Sequence, residues 1–246
     1  MKKVGWKKID WKTFFWVIMM LFWTFVTLIG SEFLVAFIIT HTLPANILNS
    51  PLANAGFSIV AYLLTALLVI FLPTKIPKVR DTIKITKERL GIRGLPTWTD
   101  IGLAPVGYIA TILIVMGLTL IFENFDWFNS NQTQELGYSI YMQGWERGIA
   151  FIELAIIAPI MEELIFRGWL YGNLRVKVPK PLAIFLVSLL FGIVHMQWNV
   201  GITVFAMSII TCVLREVTGS IYAGTLVHII NNSVAFYLLY VAGMMA

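Results

Sequence analysis

The sequence is poor in charged residues and has a single cysteine. Lys, Arg, Asp and Glu together make up 13% of its 246 residues, about half of their share in a soluble domain. This scarcity, together with 59% hydrophobic residues, excludes an ordinary soluble protein and leaves no room for a separate soluble domain. The single cysteine, Cys212, excludes an internal disulfide and a cysteine-rich metal site.

Long apolar runs, bounded by charged or turn-forming residues, fill most of the chain. Because a helix needs about 20 apolar residues to cross a bilayer, we predict an all-α, polytopic integral membrane protein with one transmembrane domain over 1–246. The first run is longer than the core of a signal peptide and has no cleavage site, so we expect it to remain as an uncleaved anchor. Seven spans are predicted, near 13–40, 55–73, 101–122, 148–171, 181–197, 201–217 and 220–243.

The basic residues are divided unevenly between the predicted loops. Residues 1–12, 74–100 and 172–180 hold most of the Lys and Arg, whereas the loops on the other side, 41–54, 123–147 and 197–200, hold only Arg147. Since basic loops stay in the cytoplasm, we predict a cytoplasmic N-terminus and an external C-terminus. The net charge of +5 then reflects topology, and we expect no nucleic-acid partner.

The basic loop 74–100 has a second feature. Its charged residues alternate with Ile83, Ile85, Leu90 and Ile92. This pattern fits an amphipathic segment on the membrane surface and an ordinary solvated loop equally well, and both interpretations stay open at this point.

Ionisable side chains inside the predicted spans need their own explanation. A charge at the bilayer centre costs about 2.5–3.5 kcal/mol, so each one indicates a functional site or a buried partner. The height of each residue above the cytoplasmic end of its helix follows from a rise of about 1.5 Å per residue. This height is about 20–22 Å for Glu162, His195 and Asn232, and about 14 Å for His228. We therefore predict one buried site supplied by three helices. Two further carboxylates, Glu32 and Glu153, are predicted near the outer surface and outside this site.

Helical geometry separates the two adjacent glutamates. Residues four apart lie on one face of a helix, whereas adjacent residues point about 100° apart. Glu163 is therefore predicted to pair with Arg167, and Glu162 is predicted to face the cavity. Pro159 removes a backbone hydrogen bond to the Ala155 carbonyl, and we expect a local kink there.

Three short motifs carry a resemblance to a known family. "EELIFR" at 162–167, "FGIVH" at 191–195 and "HIINN" at 228–232 resemble, in order, the EExxxR, FxxxH and HxxxN motifs of the CPBP family (CAAX protease and bacteriocin-processing, also called Abi). The resemblance lies within 155–232 and implies a catalytic core of about 148–243. It also implies a helical membrane protein that hydrolyses peptide bonds within or near the membrane.

The resemblance further implies a role for each motif residue. Glu162 and His195 would activate a water molecule, and His228 and Asn232 would hold the carbonyl oxygen of the substrate. The expected partners are a peptide or membrane-protein substrate and the lipid bilayer, in a bacterial or archaeal plasma membrane. Glu163 and Arg167 would support the site structurally.

Two questions stay open in the sequence. Glu162, His195 and His228 are a ligand set that zinc accepts, but an HExxH signature is missing. Water activation without metal explains the residues equally well, and we expect no obligatory metal.

A non-catalytic alternative is a bacteriocin self-immunity or regulatory scaffold that binds a peptide in the same cavity. The complete motif set favours an enzyme, because a scaffold would not need all of these groups.

Overall fold

The computed structural model describes residues 9–48, 50–80, 83–130, 132, 138–139, 141–142 and 144–243. All regular structure in these residues is helical, so the all-α prediction is confirmed for them. Short helices at Ala45–Leu48, Pro77–Arg80 and Lys87–Leu90 connect longer ones. The longer helices are α1 (Trp11–Thr42), α2 (Pro51–Lys75), α3 (Trp98–Phe122), α4 (145–174), α5 (Lys180–Ile193), α6 (Trp198–Thr218) and α7 (Tyr222–Val241).

The chain is a multi-pass integral membrane protein. Among the described residues, five helices are long and apolar enough to cross a membrane, namely α1, α2, α3, α6 and α7. Helix α4 contains charged residues, and α5 has 14 residues, about 21 Å of rise against a hydrocarbon core of about 30 Å. The count of seven spans and the cytoplasmic N-terminus remain predictions. Four of the lysines that support this orientation, Lys2, Lys3, Lys7 and Lys8, lie outside the described residues.

Helix α4 lies at the centre of the bundle. It contacts α1, α2, α5, α6 and α7, and its side chains Phe166, Trp169 and Tyr171 are fully buried. Helix α1 packs on α2, and α3 packs on α6 and α7. The helix that contains the most ionisable residues is thus surrounded by protein, which keeps its charged side chains away from lipid.

Helix α4 changes its hydrogen-bond register twice. Widened π-helical turns at Ile152–Ile157 and Leu164–Leu170 flank the regular turns Ala158–Glu163. The Ala158 N–H donates to the Glu153 carbonyl, so residue 159 would donate to Leu154 in the same register. Pro159 has no N–H. The carbonyl deprived of a donor is therefore that of Leu154, and not that of Ala155 as regular α-helical spacing predicts.

The basic segment 74–100 packs against the C-terminal end of α6. Ile83 is buried in the main apolar core. The Arg215 guanidinium, also buried, donates from Nη2 to the carbonyls of Glu88 and Arg89 at 3.0 and 3.2 Å. Gly91 has φ +70°, and a Cβ there would collide with the Arg215 guanidinium. This part of the segment is therefore held by protein contacts and does not behave as a freely solvated loop.

Candidate active site

A cavity of about 940 Å³ opens among the helices, which is the size of a small-molecule or peptide side-chain site. Glu162, His195, His228 and Asn232 all line it. The structure thus brings together, from α4, the end of α5 and α7, the four side chains predicted to form the site.

The two oxygens of Glu162 have different neighbours. Oε1 accepts a hydrogen bond from the Tyr62 hydroxyl at 2.5 Å. Oε2 lies 3.7 Å from Nε2 of His228, too far for a direct hydrogen bond. The side chain is 15% exposed, and it faces the cavity. One oxygen is therefore held by a neutral donor, and the other remains available on the cavity side.

Glu163 has two partners through one oxygen. Its Oε1 lies 3.0 Å from Nη1 of Arg167 and 3.2 Å from Nδ1 of His228, and the Glu163 and Arg167 side chains are fully buried. The Arg167 guanidinium also covers the Phe191 ring, with Cζ 4.3 Å from the ring centroid. The contact with His228 joins α4 to α7, so helical spacing alone could not predict it. It places the His228 imidazole between the Glu162 and Glu163 carboxylates.

His195 lies in a turn beyond the end of α5, and not within a helix as the predicted range 181–197 implied. Helix α5 ends at Ile193, and Met196 has φ 54°, which reverses the chain toward α6. A Cβ on Gly192 would lie 2.8 Å from the Gly201 carbonyl oxygen, so glycine is needed for this close packing of α5 and α6. The His195 Nδ1 lies 2.8 Å from the Phe191 carbonyl. Because a carbonyl only accepts, Nδ1 carries the proton, and Nε2 of the neutral ring is an acceptor.

The Asn232 side chain donates a hydrogen bond to a backbone carbonyl of α4. Its Nδ2 donates to the Leu154 carbonyl at 3.0 Å, and its Oδ1 accepts from Asn231 at 3.2 Å. Leu154 is the residue whose carbonyl loses its helical donor at Pro159, so the amide of α7 replaces the missing N–H of α4. An asparagine amide has two N–H donors, and Leu154 uses one of them. Sequence reasoning missed this contact because it depends on the widened turn.

Glu153 is part of the cavity wall, which corrects the prediction that it lies outside the site. Its side chain is buried, and it lines the cavity. Oε1 accepts from the Ser58 hydroxyl at 2.5 Å and Oε2 from the Tyr138 hydroxyl at 3.3 Å. Burial raises the pKa of the Tyr138 phenol well above its ordinary value, and the neighbouring Glu153 raises it further, so this phenol remains a neutral donor.

The remaining carboxylate, Glu32, also lines the cavity. Residue heights counted along single helices placed Glu32 and Glu153 outside the site. Such heights do not show how α1 and the segment before α4 pack around the cavity. Glu32 extends from α1, and Tyr138 of that segment reaches Glu153. The side chains that sequence reasoning missed at the cavity include Glu32, Ser58, Tyr62, Tyr138 and Glu153.

The side chains that zinc would accept, Glu162, His195 and His228, all line this cavity. In the part of the chain that the structure describes, no three His, Cys, Asp or Glu side chains are placed to hold a metal ion. Nδ1 of His228 faces Glu163, and its Nε2 is 3.7 Å from Glu162. The contact with Glu163 leaves Nε2 as the His228 nitrogen on the Glu162 side.

Comparison with known proteins identifies the region that carries the site. Residues 144–234 match the family model Rce1-like, described as type II CAAX prenyl endopeptidase Rce1-like. No curated protein and no solved structure matches the chain. The matched region runs from the start of α4 into α7 and contains all three motifs, whereas α1, α2 and α3 lie outside it. The family model and the motifs therefore agree, and residues 144–234 of this chain match the CPBP, or CAAX-protease, family.

Proposed function

We propose that the chain is an intramembrane endopeptidase that hydrolyses a peptide bond of a membrane-associated protein or peptide in this cavity. The family match supports a protease. The observation that carries the proposal is the position of Glu162, which is not paired with Arg167, lines the cavity and directs Oε2 toward His228. A carboxylate in this position suits a general base.

Water activation is assigned to Glu162 and His195. Oε2 of Glu162 and Nε2 of His195 are both acceptors at the cavity, so one bound water can donate a hydrogen bond to each. Glu162 removes one proton as the water oxygen attacks the carbonyl carbon. The C–N bond then breaks, and Glu162 returns the proton to the departing amine. No step uses a metal ion.

Stabilisation of the oxyanion is assigned to His228 and Asn232. When both imidazole nitrogens of His228 are protonated, Nδ1–H donates to Glu163, and Nε2–H is directed toward the cavity side of Glu162. The second N–H of Asn232 adds a donor without adding a charge. Two donors that converge on the developing negative charge lower the barrier for peptide hydrolysis.

The proposal is tested by comparing the membrane peptidomes of cells that express the parent protein or Glu162→Gln. Peptides that accumulate only with the parent are expected, and they would identify the substrate. Glu146→Gln is the matched control because Glu146 lies on the same helix but not at the cavity. Identical peptidomes for the parent and Glu162→Gln would favour the alternative, a self-immunity or regulatory scaffold that binds without cutting.

Asn232→Ala is expected to lower both stability and activity. Loss of the donor to the Leu154 carbonyl should cost about 1–3 kcal/mol of unfolding free energy, and loss of an oxyanion donor about 10²-fold in kcat. Pro159→Ala restores an N–H at residue 159 that can donate to Leu154. The double variant Pro159→Ala/Asn232→Ala should therefore regain stability but not kcat. Thermal unfolding in detergent and a peptide hydrolysis assay measure the two effects separately.

The outcomes of this experiment assign the role of Asn232. If Asn232→Ala kept the parent kcat and lost only stability, its role would be limited to the backbone of α4. If the double variant Pro159→Ala/Asn232→Ala regained both the stability and the kcat of the parent, the loss of kcat in Asn232→Ala would come from the altered helix. The oxyanion assignment would then be wrong.

Substrate charge should affect KM. Glu32, Glu153 and Glu162 line the cavity, and the described lining includes no Lys or Arg. The loops predicted on the outer side, 41–54, 123–147 and 197–200, hold a single basic residue, Arg147. We expect a peptide with Lys beside the scissile bond to have a KM about tenfold below that of its Glu counterpart. Equal KM values for peptides that differ only at this residue would show that the carboxylates do not contact the substrate.

A further inference from the structure

Helix α2 lies outside the family-matched region, yet it contacts both cavity carboxylates of α4. Ser58 and Tyr62 are four residues apart and so share one face of α2. The Ser58 hydroxyl donates to Oε1 of Glu153, and the Tyr62 hydroxyl donates to Oε1 of Glu162, both at 2.5 Å. The contact with Glu162 concerns the side chain that the proposed reaction uses as its base.

Packing determines where the Tyr62 hydroxyl lies. The Tyr62 ring is half-buried and packs against the main apolar core, and α2 packs on α1 and α4. A phenol ring held in this way has little freedom, and its hydroxyl stays at one position. The hydroxyl donor is therefore fixed relative to α4 before any substrate binds.

The bond to Tyr62 determines which oxygen of Glu162 faces the cavity. The terminal torsion of a glutamate is broad and roughly two-fold, so an unrestrained carboxylate rotates readily. With Oε1 held by Tyr62, Oε2 is the oxygen that lies 3.7 Å from His228 Nε2. If the Tyr62 hydroxyl were removed, the carboxylate could turn and contact His228 directly, which would close the water position.

We propose that Tyr62 is a positioning residue for Glu162, which holds the carboxylate so that Oε2 accepts the proton of the attacking water. This inference rests on the proposed function and extends the site to α2. It concerns the hydroxyl alone, because the ring makes the packing contacts.

Tyr62→Phe tests the inference by removing the hydroxyl and keeping the ring. We expect kcat to fall about 10–100-fold, as for the loss of a hydrogen bond to a charged group, with KM within about twofold of the parent because the cavity wall is unchanged. Thr65→Val is the matched control: Thr65 lies on α2, and its hydroxyl donates to the Ala61 carbonyl of its own helix. Thr65→Val should keep the parent kcat.

A double-mutant cycle separates positioning from a general packing effect. Glu162→Asp keeps a carboxylate but withdraws it by about 1.5 Å, so the Tyr62 hydroxyl should no longer reach it. In the Glu162→Asp background, Tyr62→Phe should change kcat less than about twofold, whereas two unrelated defects would multiply.

The outcomes of the cycle are distinct from those that test the proposed function. An equal loss of kcat from Tyr62→Phe in the parent and Glu162→Asp backgrounds would overturn the positioning role. Unchanged kcat for Tyr62→Phe in the parent background would also overturn the positioning role. The peptidase proposal would still stand in that case, because it depends on the activity of the parent and on the loss of that activity in Glu162→Gln.

Discussion

Glu162→Gln is expected to lower the rate of peptide hydrolysis by about 10²–10⁴-fold, the contribution of a general base. Glutamine has nearly the same shape, and its carbonyl oxygen can accept the hydrogen bond that Tyr62 donates to Oε1. The amide cannot take a proton from water. Since Glu162 is partly exposed to the cavity and is not the partner of Arg167, the variant should fold as the parent does.

Purified parent and Glu162→Gln proteins, compared with one peptide substrate, measure this effect through kcat and KM. The expected loss is in kcat, with an unchanged melting temperature in detergent. Glu146→Gln, the same substitution elsewhere on α4, should keep the parent rate. Parent-like kcat for Glu162→Gln would remove Glu162 from the reaction, and with it the proposed mechanism.

Glu163→Gln is expected to lower the unfolding free energy by about 3–5 kcal/mol. The Glu163 and Arg167 side chains are fully buried and form an ion pair at 3.0 Å. Substitution leaves the Arg167 charge buried without its counter-ion, which costs more than the pair itself contributes. The neighbouring substitutions therefore differ: Glu162→Gln is expected to affect the reaction alone, whereas Glu163→Gln affects the bundle and also changes the group that contacts His228 Nδ1.

The melting temperature in detergent should fall by about 10 °C in Glu163→Gln, from the usual relation between unfolding free energy and midpoint in chains of this size. The double variant Glu163→Gln/Arg167→Met removes both charges and should regain part of the loss, because a buried apolar side chain has no counter-ion to lose. An unchanged melting temperature in Glu163→Gln would show that the pair does not stabilise the bundle.

Much of the fold is readable from the sequence because a membrane imposes simple rules. Each predicted span overlaps one helix, since a bilayer of fixed thickness requires apolar runs of a fixed length. The range 181–197 extends past the end of its helix at Ile193, and His195 lies in the following turn. Hydropathy does not detect such a turn, because Val194 and Met196 are as apolar as the helix before them.

Local geometry within one helix is equally readable. The contact between Glu163 and Arg167 is an i, i+4 relation that needs no tertiary information. The three motifs of the C-terminal half are also local, and the family match over 144–234 contains all of them. The sequence by itself thus determined the helical membrane class, the family resemblance and the pairing of Glu163 with Arg167.

Only the tertiary structure decided which groups surround these residues. Tyr62 reaches Glu162 across 100 positions of the chain, and Asn232 reaches Leu154 across 78. Such contacts depend on how each helix is rotated and how far it is shifted along its neighbours, and apolar runs do not encode rotation. The widened turn before Pro159 adds a change of register that regular α-helical spacing misses. Packing therefore determined which oxygen of Glu162 faces the cavity, why an asparagine supports α4, and that Glu153 lies within the cavity wall.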